Sequence, residues 1–332
     1  MKICVYFTPN IKNDNFEGTR LRKSLKGALQ INDVTCCRNI VDTYDLIHFL
    51  SLNDELKIND AIEAKIPVVF SALSCEMDKE ARILVKKGNE LILPKKARDI
   101  LNKVDAVIVS DETSKKYLID NGVTSNIEVI SPGVNPSRFE ISDALESDIF
   151  YNYYQLERDS KFIVSIGQYN DKKKIKALSK IASSCPDLKF FYFGKKNIRA
   201  LARLNTSLPK NVKLCTLANN EIYCSMLKNA SVMLALDNSR HNPLTLLDAM
   251  ASKTQIVALE PLYLNEEILK DAHAYIAKDE IEASEIIQKL INGKLKYHTE
   301  EAYKYACDNN LENTGKKLKT LYQKLLDGRK VK

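Results

Sequence analysis

The sequence predicts an α/β protein built from two parallel-sheet domains. Three observations predict it. Apolar strand-like runs alternate with helical periodicity from Ile3 to Ile130. The alternation stops at the turn Ser131-Pro132-Gly133 and the polar, irregular stretch 140–160. It resumes at Phe162. Short apolar strands separated by helices are what a parallel sheet covered on both faces requires.

In the first half, Ile3–Phe7 reads as a strand and Arg20–Leu29 as a helix. Leu46–Leu50 is a short apolar strand, Ile58–Ala64 a helix and Pro67–Phe70 the next strand. A long helical stretch is expected over Lys79–Lys103. Ala106–Val109 is a buried strand, Glu112–Asn121 a helix ending at Gly122, and Ile127–Ile130 another strand. The second half gives strands at Phe162–Ile166, Phe190–Phe193 and Val212–Leu214. Helices are expected at Lys174–Ser184, Ile198–Leu204 and Glu221–Lys228. A last short strand falls at Tyr275–Ala277, and helices at Ala283–Leu290 and Glu300–Leu326 close the pattern. Two such halves imply a cleft, the usual place for a small ligand.

The most informative stretch is VMLALDNSRHNPLTLLDAMASKTQIVAL, Val232–Leu259. It reads as strand, loop, helix, strand. Pro243 stands where a helix can begin. Asp248 is one acid inside an apolar turn, costly to bury unless something binds it. Left unbound, it would sit on the wet edge of a surface helix. Open α/β sheets bind ligands at the carboxyl ends of strands, where helix N-termini favour anions. A nucleotide-sugar offers a diphosphate to the helix end and ribose hydroxyls to the acid.

Composition narrows the class. The chain has 332 residues, enough for about two domains. No apolar run reaches the roughly 18 residues that would suggest a membrane span. MKICVYFTPN reads as an opening strand, not a signal peptide, so a cytoplasmic location is expected. The eight cysteines form no C-x-x-C pair, and neither a disulfide framework nor a metal site is expected. The net charge is +7, and the basic excess falls after about residue 150. That suits an anionic ligand. No pattern of aromatic and basic residues points to nucleic acid.

Ordered landmarks then resemble a family, the GT-B retaining glycosyltransferases of the family 4 type. DLIHFLS at Asp45–Ser51 resembles its D-hydrophobic-hydrophobic-H strand. VDAVIVSDETSKKYLIDNGV at Val104–Val123 resembles a strand and helix of the family, and VISPGVNPSRFE at Val129–Glu140 resembles the motif that ends its N-terminal domain. IVSIGQYNDKKKIKAL at Ile163–Leu178 resembles the opening of its C-terminal domain. LLDAMASKTQIVAL resembles the second half of its E-x7-E motif.

The resemblance implies two Rossmann-like domains facing across a cleft. An N-terminal acceptor domain would span 1–145 and a nucleotide-sugar donor domain 155–300. A C-terminal helix at about 305–328 would pack back on the first. It implies transfer of a hexose from a nucleotide-diphosphate sugar, with uridine the family's usual base, to a glycan, lipid or protein hydroxyl. Anomeric configuration would be retained and no metal or other cofactor needed. Donor contacts are expected at Gly167, Gln168, Lys173, Gly194, Asn242, Pro243, Leu244 and Asp248. Catalytic roles fall to Lys173, Arg240 and His241.

The chain departs from the family pattern in several places. Arg240 replaces the first acid of the E-x7-E pair, and Gln168 replaces the family's arginine. Gln can donate a hydrogen bond but cannot neutralise phosphate. The usual N-terminal-domain histidine is absent from VVFSALSCEMD. His48, in an apolar strand, is expected to be a satisfied core residue. These losses keep a second reading open: a catalytically degenerate GT-B protein that binds a partner in a glycosylation system.

RILVKKGNELILPKKARDILNK, Arg82–Lys103, has seven basic and two acidic residues among many Leu, Ile and Val. Read as basic amphipathic helix, broken by Pro94, it would lie on an anionic membrane surface. This is similar to bacterial diacylglycerol glycosyltransferases, and would place the protein peripherally at the inner face of the cell membrane.

Overall fold

A computed structural model describes residues 1–8, 16–37, 39–72, 85–87, 90–140, 144–158, 160–167, 169, 172–194, 208–216, 219–236 and 243–330. The elements up to residue 130 are β1 (Lys2–Tyr6), α1 (Phe16–Ile31), β2 (Thr35–Cys36), β3 (Leu46–Phe49), α2 (Glu55–Glu63) and β4 (Val68–Ser71). They continue with β5 (Val85–Lys87), β6 (Glu90–Ile92), α3 (Lys95–Leu101), β7 (Ala106–Val109), α4 (Glu112–Asp120) and β8 (Asn126–Val129). Beyond them lie α5 (Ala144–Ser147), α6 (Ile149–Tyr154), β9 (Phe162–Ile166), α7 (Lys172–Ser183), β10 (Lys189–Gly194), β11 (Val212–Thr216) and α8 (Asn220–Asn229). Then come β12 (Val232–Ala235), α9 (Pro243–Ala251), β13 (Ile256–Leu259), β14 (Ala274–Ala277), α10 (Glu280–Ile291), α11 (Thr299–Asp308) and α12 (Leu311–Lys330).

Two six-stranded sheets result, ordered β2-β1-β3-β4-β7-β8 and β11-β10-β9-β12-β13-β14. Every pairing within them is parallel, for example Val5 beside His48 and Leu234 beside Val257. This is the predicted fold class. The central strands LIHF, AVIV and IVAL are buried at every residue, because helices cover both faces of a parallel sheet. Polar caps begin several helices. Asp111 accepts from Ser114 N at α4, Asn219 from Ile222 N at α8, and Asp279 from Glu282 N at α10.

The chain divides into two compact units. One comprises Met1–Val134, Arg240–Thr245 and Asp308–Lys332, the other Asn135–Ser239 and Leu246–Cys307. Two predicted elements need correction. The long helix over Lys79–Lys103 is absent from the described part of that segment. β5 and β6 instead pair antiparallel, Val85 beside Ile92, and helix is confined to α3 after Pro94. The described part of Arg82–Lys103 is therefore not one amphipathic helix. The expected helix Glu300–Leu326 is two helices. Val134 N donates to the Asn309 carbonyl, and Leu311 N donates to the Val134 carbonyl, so the break is pinned by backbone bonds. Asn310 then caps α12 through Asn313 N at 2.8 Å. The expected helix Ile198–Leu204 lies outside the described residues.

α12 carries Leu318, Leu321 and Tyr322 into the same core as Ile3, Val5 and Leu25. It packs along α1 so closely that a Cβ on Gly315 would overlap the Ala28 carbonyl and the Asn32 side chain. The Tyr322 hydroxyl lies 2.7 Å from His48 Nδ1, and Ser71 Oγ lies 2.7 Å from His48 Nε2. His48 is fully buried, and burial lowers its pKa from 6.5 to about 3.

This sets a pH dependence. Between those two values the unfolded chain binds a proton that the folded chain rejects. Unfolding then takes up protons, so stability falls as pH drops from 6.5 toward 3. We expect His48 to contribute a slope of about 1.4 kcal/mol per pH unit in that window. Urea unfolding at pH 6.5 and pH 5 checks it: His48→Gln should remove that part of the slope, and an unchanged slope would refute the assignment.

Candidate functional site

In the second unit, β9 is flanked by β10 on one side and β12 on the other. The chain builds outward from β9 to β10 and β11, then crosses back to β12. Doubly wound sheets hold ligands in the crevice outside the carboxyl ends of the strands at such a reversal. Here those ends lead to Gly167 after β9 and Leu236 after β12.

The two glycines are fixed by packing. Gly167 N donates to the Phe193 carbonyl at 2.9 Å. A Cβ at Gly167 would overlap the Tyr192 hydroxyl. One at Gly194 would lie 2.7 Å from the Gly167 carbonyl oxygen and 3.0 Å from Tyr169 Cζ. Tyr169 is buried and donates its hydroxyl to the Cys215 carbonyl. Burial pushes its pKa up, which keeps the phenol a donor. β9, β10 and β11 are thereby locked together at their carboxyl ends, with no side chain at either glycine. Sequence reasoning found both glycines and missed the tyrosines that require them.

Asp248 sits in the second turn of α9 and is 2 % exposed, so it is not the acid of a wet helix edge. Tyr223 Oη on α8 donates to its Oδ2 at 3.0 Å. The Arg138 guanidinium forms an ion pair with Oδ1 at 3.8 Å. Arg138 also donates to Asn220 Oδ1 and approaches Cys224 Sγ at 3.8 Å. It stands in a short helical turn, Pro136–Phe139, whose last carbonyl accepts from Lys228 Nζ at 3.2 Å. One carboxylate thus ties that turn to α8 and α9. The sequence singled out the acid, but its partners Tyr223 and Arg138 are far from it in the chain and carry no motif.

The lysine run opens α7. Lys172 and Lys173 are exposed in its first turn, whereas Lys174 is buried at 7 % exposure. Pro243 is the first residue of α9, and Leu244 behind it is buried. The expected site residues Gln168, Arg240, His241 and Asn242 lie outside the described residues. Among the described residues, no group of three or more His, Cys, Asp or Glu is placed to hold a metal ion. No described helix is long and apolar enough to cross a membrane.

The family description "Glycosyl transferases group 1" matches residues 152–306, most of the second unit with all the strands just described. The chain carries a group 1 glycosyltransferase domain on a GT-B fold. The chain is 24% identical over 310 residues to a processive diacylglycerol alpha-glucosyltransferase of Acholeplasma laidlawii, covering 91% of each chain. Its fold matches a sucrose-phosphate synthase of Thermosynechococcus elongatus with a TM-score of 0.74 at 13% identity, covering 98% of this chain and 99% of the other. It also matches Anabaena HepE in complex with UDP and glucose, at a TM-score of 0.72 and 12% identity, covering 98% and 100%. At these identities the two structural likenesses establish the fold alone. The family match and the curated relative support glycosyl transfer from a nucleotide-sugar.

Proposed function

We propose that this protein is a glycosyltransferase that moves a hexose from a uridine diphosphate sugar to an acceptor hydroxyl, with retention of configuration and without a metal. The observation that carries the reading is the reversal of strand order at β9 and β12, with a bare glycine edge at the carboxyl ends of β9 and β10. The HepE structure with UDP and glucose supports the choice of base.

In this proposal Gly167 and Gly194 leave room for the nucleotide at the strand ends. Lys173 meets the diphosphate as a point charge. The backbone N–H groups from Leu244 onward add the favourable end of a helix dipole, Pro243 having none to give. Asp248 accepts a ribose hydroxyl beside its protein partners, since a carboxylate has about four acceptor positions. Arg240 offsets the charge that Gln168 does not supply, Asn242 contacts the donor, and His241 is a further catalytic candidate. Retaining transfer asks the protein mainly to place substrates and stabilise the leaving diphosphate, which can itself take the acceptor proton. The Acholeplasma relative makes the hydroxyl of diacylglycerol the first acceptor to test.

The test is turnover of UDP-glucose and UDP-galactose with diacylglycerol presented in vesicles. We expect acceptor-dependent release of UDP, an α-linked product, and a rate unchanged by EDTA. A rate higher on phosphatidylglycerol than on phosphatidylcholine vesicles is expected if the Arg82–Lys103 segment meets anionic lipid. Equal rates remove that contact. No turnover with any donor, alongside tight binding to another protein, would favour the degenerate reading motivated by Arg240 and Gln168.

A further inference from the structure

The first unit has its own reversal of strand order. β1 lies between β2 and β3, and the chain crosses from β2 back past β1 to reach β3. The crevice outside the carboxyl ends of β1 and β3 is the place where such a sheet binds a ligand. Four chemically competent side chains meet there. Tyr6 ends β1 and Thr8 follows it. Asp54 closes the short helical turn after β3, and Lys57 stands in the first turn of α2.

Their geometry is connected. Thr8 Oγ1 lies 2.5 Å from Asp54 Oδ1 and 2.9 Å from Tyr6 Oη. Thr8 N donates to Asp54 Oδ2 at 3.4 Å. Lys57 Nζ donates to Tyr6 Oη, lies 3.4 Å from Thr8 Oγ1, and stands 4.6 Å above the Tyr6 ring centre. A threonine hydroxyl has one proton, and an ionised carboxylate can only accept. The bonds therefore run in one direction: Lys57 to Tyr6, Tyr6 to Thr8, Thr8 to Asp54. The Tyr6 ring is held in place by an edge contact with Phe49 at 5.7 Å. Asp54 is 5 % exposed, while Thr8 is exposed and Lys57 half-buried. The hydrogen bond to Tyr6 leads the causes that raise the Lys57 pKa, ahead of the desolvation that opposes it, so the ammonium persists.

The chemistry of this cluster selects its ligand. One cation and one carboxylate cancel, so a phosphate gains little there. Adjacent hydroxyls on a polyol both donate and accept, which matches an ammonium, two hydroxyls and a carboxylate set side by side. We infer that Tyr6, Thr8, Asp54 and Lys57 form a subsite for a neutral polyol, the sugar or glycerol end of the acceptor. Calling the polyol an acceptor rests on the transferase reading; the binding itself does not.

Saturation-transfer NMR on the whole chain tests it, with methyl α-glucopyranoside and glycerol as probes and sn-glycerol 3-phosphate as the anionic contrast. We expect both neutral polyols to bind and glycerol 3-phosphate to bind more weakly. Lys57→Met and Thr8→Val should each weaken polyol binding at least tenfold. UDP affinity, followed by calorimetry, should not change, and both variants should remain folded at the temperature of the NMR experiment, although Thr8→Val takes a hydrogen bond from buried Asp54 and lowers the melting temperature. Polyol binding that is absent, that survives both variants, or that is weaker than glycerol 3-phosphate binding would overturn the subsite. UDP binding in the same samples would then still support the transferase reading. Polyol binding that depends on Lys57 in a protein that ignores UDP would keep the subsite and remove the transferase reading.

Discussion

Replacing Gly315 by valine is expected to destabilise the first unit by about 3 kcal/mol or more. The reason is the approach of α12 to α1. Any Cβ at position 315 would meet the Ala28 backbone carbonyl, which cannot rotate away as a side chain can. The helices must part, and the contacts of Leu318, Leu321 and Tyr322 with the core loosen together. Tight cores respond to added volume by straining instead of absorbing it. A loss of that size corresponds to a fall of roughly 10 °C in melting temperature for a unit of this size. Gly315→Ala should cost less but keep the sign. Differential scanning calorimetry decides it, and a Gly315→Val protein melting within 2 °C of the parent, roughly 0.5–1 kcal/mol, would show that the helices do not touch there.

Asp248→Asn is expected to weaken UDP binding by roughly 10- to 100-fold, the value of about 1.5–3 kcal/mol for a charged hydrogen bond. The substitution keeps volume and removes charge. It also disturbs the protein's own use of the acid, because Tyr223 and Arg138 both address it. Tyr223→Phe separates the two roles. It deletes one protein hydrogen bond and leaves the carboxylate. If Tyr223→Phe costs as much UDP affinity as Asp248→Asn, the acid acts by positioning α8 and α9 and makes no ribose contact. If Asp248→Asn alone loses affinity in a calorimetric titration, the direct contact stands.

The strands were legible because burial on both faces leaves a plain apolar run, as in AVIV at Ala106–Val109 and IVAL at Ile256–Leu259. Helix limits were legible where a residue enforces them, as Pro243 does at the start of α9. The β5–β6 hairpin was not. Its strands VKK and ELI are too short for alternation to register, and the true helix that follows, α3, lends them its spacing. The break before α12 left a signal that could have been used: Asn310 with its side chain available to cap three residues on. At the candidate site, Gly167, Gly194 and Asp248 were visible from the sequence. What surrounds them was not, because Tyr192, Tyr169, Tyr223 and Arg138 are brought there by sheet order and helix packing and not by spacing in the chain.

The seat of α12 has a consequence for biosynthesis. Residues 1–134 leave the ribosome well before residues 311–330, yet Tyr322 closes on His48 and Leu318 fills the space against β1 and α1. The first stretch to be translated must wait, partly open, while the whole intervening glycosyltransferase domain is made and can fold ahead of it. Nascent chains stalled before Leu311 should therefore leave their earliest-made half exposed to proteases and chaperones, reversing the usual order in which a two-part protein matures.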